Sequence, residues 1–278
     1  NIMDDTENLF KFVGEKLSNP TLYPSPYRGG NANEAASVSP SPIRGGTEAR
    51  LLTPERSDGG RGGVLRYKDK KINIFEKWDR LSMKEIWQKY LQANLDDYLN
   101  TEQIKNLAED KGYKIEEDEE YENIFYKIFL NEIEPKLGVE KPVFIYDYPA
   151  CMASLSRLCP HDNRYAERFE LYIGGLELAN AFGELTNADE QKERLEKDKE
   201  LRQKLGKETW PVDEDFIKSL DELDGLLKKE GGLAGHSSAG ATAGGIALGV
   251  DRMVLLFTGA KDLNEVMFQS VSDQIDSD

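Results

Sequence analysis

The chain has 278 residues, room for one large domain or two small ones. Its 52 Asp and Glu against 36 Lys and Arg give a net charge of −16 with 38% hydrophobic residues, which argues against a broad nucleic-acid-coating surface. The longest apolar stretch, Met253 to Phe257, is far short of the ~20 residues a bilayer needs, so no membrane span is expected.

Asn1 to Asp5 has neither the basic start nor the apolar core of a secretory signal. Cys151 and Cys159, taken with His161 and His236, do not form a four-ligand structural zinc set on the usual spacings, and a reducing, cytoplasmic setting is expected. Asp4 to Leu17 spaces Leu9, Phe10, Phe12, Val13 and Leu17 by threes and fours, which predicts one amphipathic helix cut off by Asn19-Pro20. From Ser18 to Arg66, 14 of 49 residues are Pro or Gly, and Pro24-Ser-Pro-Tyr-Arg-Gly-Gly30 returns as Pro40-Ser-Pro-Ile-Arg-Gly-Gly46. Such a segment buries too little to offset its conformational entropy and reads as a disordered insertion, a linker rather than an RNA-binding Arg-Gly-Gly tract. The expected organisation is therefore a helix at 1–17, the insertion at 18–66, and the body of the domain at 67–278.

Ser82-Met-Lys-Glu85 opens a helix by the Ser-x-x-Glu capping pattern and carries it to about Ala93. Thr101 to Lys111 and Glu119 to Asn131 read as two further packing helices, and the acidic run Glu116 to Glu120 as a solvated helix start. Pro142 to Tyr146 reads as a buried strand, and Arg168 to Ile173 and Leu176 to Phe182 as two strands joined by the Gly174-Gly175 turn. Asp189 to Leu205 is a charged helix, Phe216 to Lys228 another, and Gly231 to Gly245 a flexible link into an apolar helix at Met253 to Phe257. Helices and antiparallel strands mixed without a repeating strand-helix-strand pattern give an α+β fold.

The hairpin carries the chemistry. If Ile173 and Leu176 flank the turn, Tyr172 faces Glu177 and Glu170 faces Ala179, leaving Glu170 and Glu177 as diagonal neighbours about 7–8 Å apart on one face. Two carboxylates so placed either share a hard cation such as Mg²⁺ with phosphate oxygens, or point to water and meet Arg164 and Arg168. Asn180, Phe182 and Glu184 alternate and suit a small zwitterion with a cationic tail, or an ordinary half-buried strand. By strict parity they lie opposite Glu177, and a shared pocket needs a bulge. Arg252, three residues after Gly249, heads an apolar helix where it reaches phosphates, stacks on a purine, or pairs with an acid.

Arg168-Phe-Glu-Leu-Tyr-Ile-Gly-Gly-Leu-Glu-Leu-Ala-Asn-Ala-Phe-Gly-Glu-Leu-Thr186, followed by Gly245-Ile-Ala-Leu-Gly-Val-Asp-Arg-Met-Val254, resembles the C-terminal part of a class II lysyl-tRNA synthetase catalytic domain. The resemblance covers about Asn73 to Ser272 and, weakly, the first helix. It implies an antiparallel sheet flanked by helices, use of ATP and Mg²⁺, and activation of lysine to an aminoacyl-adenylate. Glu170 and Glu177 would then hold Mg²⁺. Asn180 would bind the amino acid's carboxylate, Phe182 would line its side-chain pocket, and Glu184 would pair with its ammonium. Arg252, with Gly249, would lie over the nucleotide.

Two places resemble the branch of the family that lysylates elongation factor P rather than tRNA: Tyr148-Pro-Ala-Cys-Met-Ala-Ser-Leu-Ser156, with Ser154 where synthetases usually have Pro, and Ala247 where they usually have Gly. An added methyl at Ala247 alters pocket depth in a way that suits β-lysine. The alternatives are a lysyl-tRNA synthetase fragment charging tRNA, and an inactive fragment or binding module. No segment resembles the family's first motif, which carries the dimer contact, or its second, whose Arg grips the α-phosphate. The chain is expected to begin just after them, with a homodimer formed only if they are present.

Overall fold

The computed structural model describes residues 1–18, 55–56, 63–229 and 243–267. In chain order these form α1 (Ile2–Ser18), β1 (Glu55–Arg56), β2 (Gly63–Tyr67), β3 (Lys70–Asn73), β4 (Asp79–Ser82) and α2 (Met83–Leu91). Next come α3 (Thr101–Asp110), α4 (Tyr121–Ile128), β5 (Val143–Pro149), β6 (Leu158–Cys159), β7 (Asp162–Ile173) and β8 (Leu176–Gly183). The last are α5 (Ala188–Lys204), α6 (Glu214–Lys229), β9 (Gly244–Leu248) and α7 (Val250–Thr258). The main sheet runs β4-β5-β7-β8-β9, with β6 also paired to β7. Only β4 and β5 are parallel, joined by a crossover that contains α2, α3 and α4; the other pairs are antiparallel, as the α+β expectation requires.

Local chemistry sets the helix ends where the sequence places them. Ser82 caps α2 by accepting from the Glu85 N–H (3.2 Å), while the Glu85 carboxylate accepts from the Ser82 N–H (2.6 Å), closing the capping box. α4 does not run straight to Asn131. It widens into a π-helical turn at Phe129–Ile133 and then tightens into a 3₁₀ turn at Glu134–Lys136 around Pro135.

Two apolar layers sandwich the sheet. On one side α2, α3 and α4 bury Trp87, Phe125 and Phe129 against Ile145, Tyr148 and Tyr172. On the other, α1, α7 and the β2-β3 hairpin bury Phe10, Ile72, Leu256 and Phe257 against Phe144, Leu171, Ile173 and Leu178. Phe10 of α1 joins these pieces, its ring 5.8 Å from Trp78 and 6.1 Å from Phe257. The crossover is clamped at Gly138 (φ +65°), whose carbonyl accepts from the Gly174 N–H at 2.7 Å. A methyl at Gly138 would run into the Tyr172 carbonyl, so only glycine allows this approach.

The boundary expected at Arg66 needs correction. Gly63 to Arg66 belong to β2, because Leu65 and Tyr67 alternate into the second layer at 2% exposure each. Gly244 and Gly245, expected within a flexible link, are the first residues of β9. Ser18 ends α1 and Glu55–Arg56 form β1 against β2, so they too leave the expected insertion; the rest of it, 19–54 and 57–62, and of the link, 231–242, lies outside the described residues. Among those described, no helix is long and apolar enough to cross a membrane.

Candidate functional site

The hairpin turn forms as the sequence indicates. Gly174 and Gly175 take φ +66° and +80°, the left-handed pair a tight two-residue turn needs, and Tyr172 pairs with Glu177. Beyond that pair the register departs from the expectation. Leu171 pairs with Ala179, and Glu170 pairs with Asn180 instead of Ala179. The cause is a β-bulge: Leu178 (1% exposed) and Ala179 (3%) both enter the apolar layer behind the sheet, so β8 carries one residue more than β7 over the same span. Parity then reverses. Asn180 and Phe182 share the face of Glu177, Tyr172, Glu170 and Arg168, which unbroken alternation would have prevented.

Glu170 is the buried centre of that face, 4% exposed. Its carboxylate accepts from Tyr172 Oη (2.6 Å), Arg168 Nη2 (2.8 Å) and Asn180 Nδ2 (3.3 Å). Arg168 is fixed in turn: its guanidinium lies 4.5 Å from the centre of the Tyr148 ring and donates to the Met152 carbonyl at 2.9 Å. Glu177 is less enclosed. Burial, and next the Glu170 charge, push its carboxyl above the usual range. Arg252 pulls the other way, with Nη1 3.6 Å from the Glu177 carboxylate and donating to the Glu177 carbonyl at 2.8 Å.

Sequence reasoning missed a third carboxylate. Glu134, delivered by the 3₁₀ turn after the π-helical turn, is raised by burial and then by Glu177 and Glu170, so it senses the same field. Nothing in its spacing signalled this, since a regular α4 would have aimed it elsewhere. Arg168 and Tyr172, read as a possible partner and a plain strand residue, are the groups that hold the Glu170 carboxylate in place.

Beside the carboxylates, Arg168, Asn180 and Phe182 line a cavity of about 740 Å³ shared with Met152 and Leu155. Asn180 Oδ1 and Arg168 Nε are buried there with no hydrogen-bond partner among the described residues. The amide as placed donates to Glu170 and leaves its oxygen enclosed, so donating to a carboxylate ligand requires the amide to rotate. Glu184 lies just beyond Phe182, its carboxyl raised by burial and resting against Gly245. In β9, Gly245 pairs with Phe182 and Ala247 with Asn180, which puts Ala247 next to the amide on the neighbouring strand. Gly249 caps α7 and donates to the Leu178 carbonyl at 2.9 Å, holding the start of α7, and so Arg252, over the hairpin.

The sequence matches the family of class II tRNA synthetases of the D, K and N type over residues 2–270. The chain belongs to this family. Among curated proteins, it is 38% identical over 194 residues to an elongation factor P–(R)-β-lysine ligase of Photorhabdus laumondii, covering 70% of this chain and 50% of that protein. It is 39% identical over 168 residues to the ligase of the same name from Pseudoalteromonas translucida, covering 60% and 47%. It is 40% identical over 150 residues to that of Proteus mirabilis, covering 54% and 41%. The chain thus spans about half the length of the curated relatives it matches. In this chain the bulged hairpin and the start of α7 gather Glu170, Glu177, Asn180, Phe182 and Arg252.

Proposed function

We propose that this chain is part of a ligase that uses ATP to activate lysine or β-lysine as an aminoacyl-adenylate and transfers it to a lysine of elongation factor P. The observation that carries the reading is the sharing of one sheet face by Glu170, Glu177, Asn180 and Phe182, with Arg252 against Glu177. The donor set fits a divalent cation and phosphates. Glu177 and Glu134 sit above the usual carboxyl range through burial first and then through neighbouring carboxylates, Glu170 for Glu177 and both Glu177 and Glu170 for Glu134, a charge excess that a cation relieves, and Arg252 stays 47% exposed beside them. Bound Mg²⁺ would neutralise phosphate charge as pyrophosphate departs.

The substrate carboxylate attacks the α-phosphorus of ATP, the bond to the β-phosphate oxygen breaks, and pyrophosphate leaves. The acceptor amine then attacks the acyl carbon, AMP leaves, and the amine proton passes to solvent. No protein nucleophile is required. Glu170 and Glu177 would hold the cation, and Arg252, with Gly249 fixing its helix start, would cover the nucleotide. Asn180 and Phe182 orient the amino acid, and Glu184 takes its side-chain ammonium. Two free thiols, Cys151 and Cys159, agree with a cytoplasmic setting.

Ser154 favours the protein acceptor over tRNA. It adopts φ +52°, and proline, fixed near −65°, cannot occupy that backbone. The loop beside the cavity therefore has a shape that a chain with Pro there does not share.

Pyrophosphate exchange dependent on lysine or β-lysine tests the reading. Exchange by these residues, lowered about 10²–10³-fold in Arg252→Ala, is expected; exchange untouched by Arg252→Ala and Glu177→Gln together rejects it. A fragment that only binds would show no exchange at all. Comparing protein lysylation with tRNA charging in Ala247→Gly distinguishes the acceptors, and an unchanged preference removes Ala247 from the argument.

A further inference from the structure

At the opposite end of β7 from Glu170 lies a second cluster that the ligase chemistry leaves unused. Its three members, Asp147, Cys159 and His161, are not among the hydrogen-bond partners of Glu170, which are Arg168, Tyr172 and Asn180. β5 breaks register between Tyr146 and Tyr148, and Asp147, at φ +59°, drops out of the ladder. Its carboxylate meets the tight β6-β7 turn Cys159-Pro-His-Asp162, closed by pairing of Cys159 with Asp162. The buried Cys159 Sγ donates to Asp147 Oδ1 at 3.3 Å, and His161 Nε2 lies 3.6 Å from Asp147 Oδ2. One ligand atom from each of the three falls within 4.8 Å of the others.

Two of those separations, 3.3 and 3.6 Å to the two oxygens of the Asp147 carboxylate, match coordination edges, and one ligand atom from each residue needs only a small closure from within 4.8 Å. Metal–sulfur bonds of about 2.3 Å and metal–nitrogen or –oxygen bonds of about 2.0 Å set tetrahedral edges of about 3.3–3.5 Å. One thiol, one imidazole and one carboxylate are a mixed set that Mg²⁺ and Ca²⁺, which take oxygen ligands, do not use and that zinc-class ions do. Asp162 does not complete the set, because Arg164 holds it through Nε (2.9 Å) and Nη2 (2.7 Å). His161, 69% exposed, leaves one side open to solvent. The turn places Cys159 and His161 two residues apart, and the strained Asp147 supplies the third donor from another strand, a combination no linear spacing reveals.

We propose that Asp147, Cys159 and His161 bind one zinc-class divalent ion with three protein ligands and a fourth position open to water. Binding forms the metal–sulfur bond as the Cys159 thiol releases its proton to solvent, while His161 coordinates as the neutral imidazole. The site ties the β5 bulge to the β6-β7 turn.

Cobalt(II) titration of the 278-residue chain tests this without reference to catalysis. A thiolate-to-cobalt charge-transfer band saturating at one equivalent is expected, retained in Cys151→Ser and lost in Cys159→Ser. His161→Gln, at an exposed position that does not threaten folding, should weaken Zn²⁺ affinity in calorimetry about tenfold or more, and Asp147→Asn likewise. No such band in the parent chain, or a band and Zn²⁺ affinity unchanged in His161→Gln, would overturn the proposal.

Discussion

The two faces of the β7-β8 hairpin are made from the same two strands and behave in opposite ways. The rear face sends Leu171, Ile173, Leu178 and Ala179 into a dry layer with Leu255, Leu256 and Phe257, where every contact favours the fold. The front face holds a buried ion pair, carboxyls raised by burial and then by neighbouring carboxylates, and unpartnered polar atoms at Asn180 and Arg168. That face is left electrostatically incomplete in the free chain, and the charges and donors of a ligand would restore stability there. A site for a charged substrate is built by leaving it electrostatically incomplete on a rigid apolar backing.

The sharpest break of this comparison is Arg168→Leu. It strands the Glu170 carboxylate, 4% exposed, without its cation and should destabilise by about 3–5 kcal/mol in denaturant unfolding. A loss below about 1 kcal/mol would mean that Tyr172 and Asn180 suffice for Glu170. On the rear face, Leu256→Ala at a fully buried position should cost about 2–5 kcal/mol and leave the midpoint's pH dependence unchanged.

Glu177→Gln should move the other way. The folded-state carboxyl lies above its ordinary 4.5, so at low pH both states are protonated and the substitution is nearly neutral. As pH climbs past about 4.5 the unfolded chain ionises first, the parent loses stability relative to the variant, and the gap levels off above the raised value. Melting curves of both proteins from acid to neutral pH check this; a parent that stays more stable than Glu177→Gln at neutral pH would show that Arg252 outweighs Glu170.

The smallest effects lie at two loop and strand positions. Gly245→Ala pushes the Glu184 carboxylate aside, so KM for the amino acid should rise several-fold with the melting temperature nearly constant. Ser154→Gly should alter stability by no more than about 1 kcal/mol, because relief of the left-handed strain offsets the added chain entropy. Ser154→Pro should lower stability by clearly more; equal stabilities of the two variants would contradict the φ argument.

Much of the molecule was legible in the residues because its signals are local. The Ser82–Glu85 box, the Gly174-Gly175 turn and the charged helix before Gly206 depend on neighbours within a few positions, and each forms where the sequence places it. The strands at Gly63–Tyr67, Lys70–Asn73 and Gly244–Leu248 were not legible. They are short, glycine-containing or mixed in pattern, and their partners alone make them strands.

What the sequence by itself determined is the inventory: a hairpin with Glu170 and Glu177 at its tip, the Asn180, Phe182 and Glu184 series, and an arginine opening the last long helix. Which of these face one another was decided by tertiary structure. A single extra residue at Leu178 reverses strand parity, a π-helical turn aims Glu134, and a register break brings Asp147 to Cys159 and His161. Each depends on how apolar side chains distribute between two layers that distant segments build, and that competition is non-local, so no window of sequence contains it.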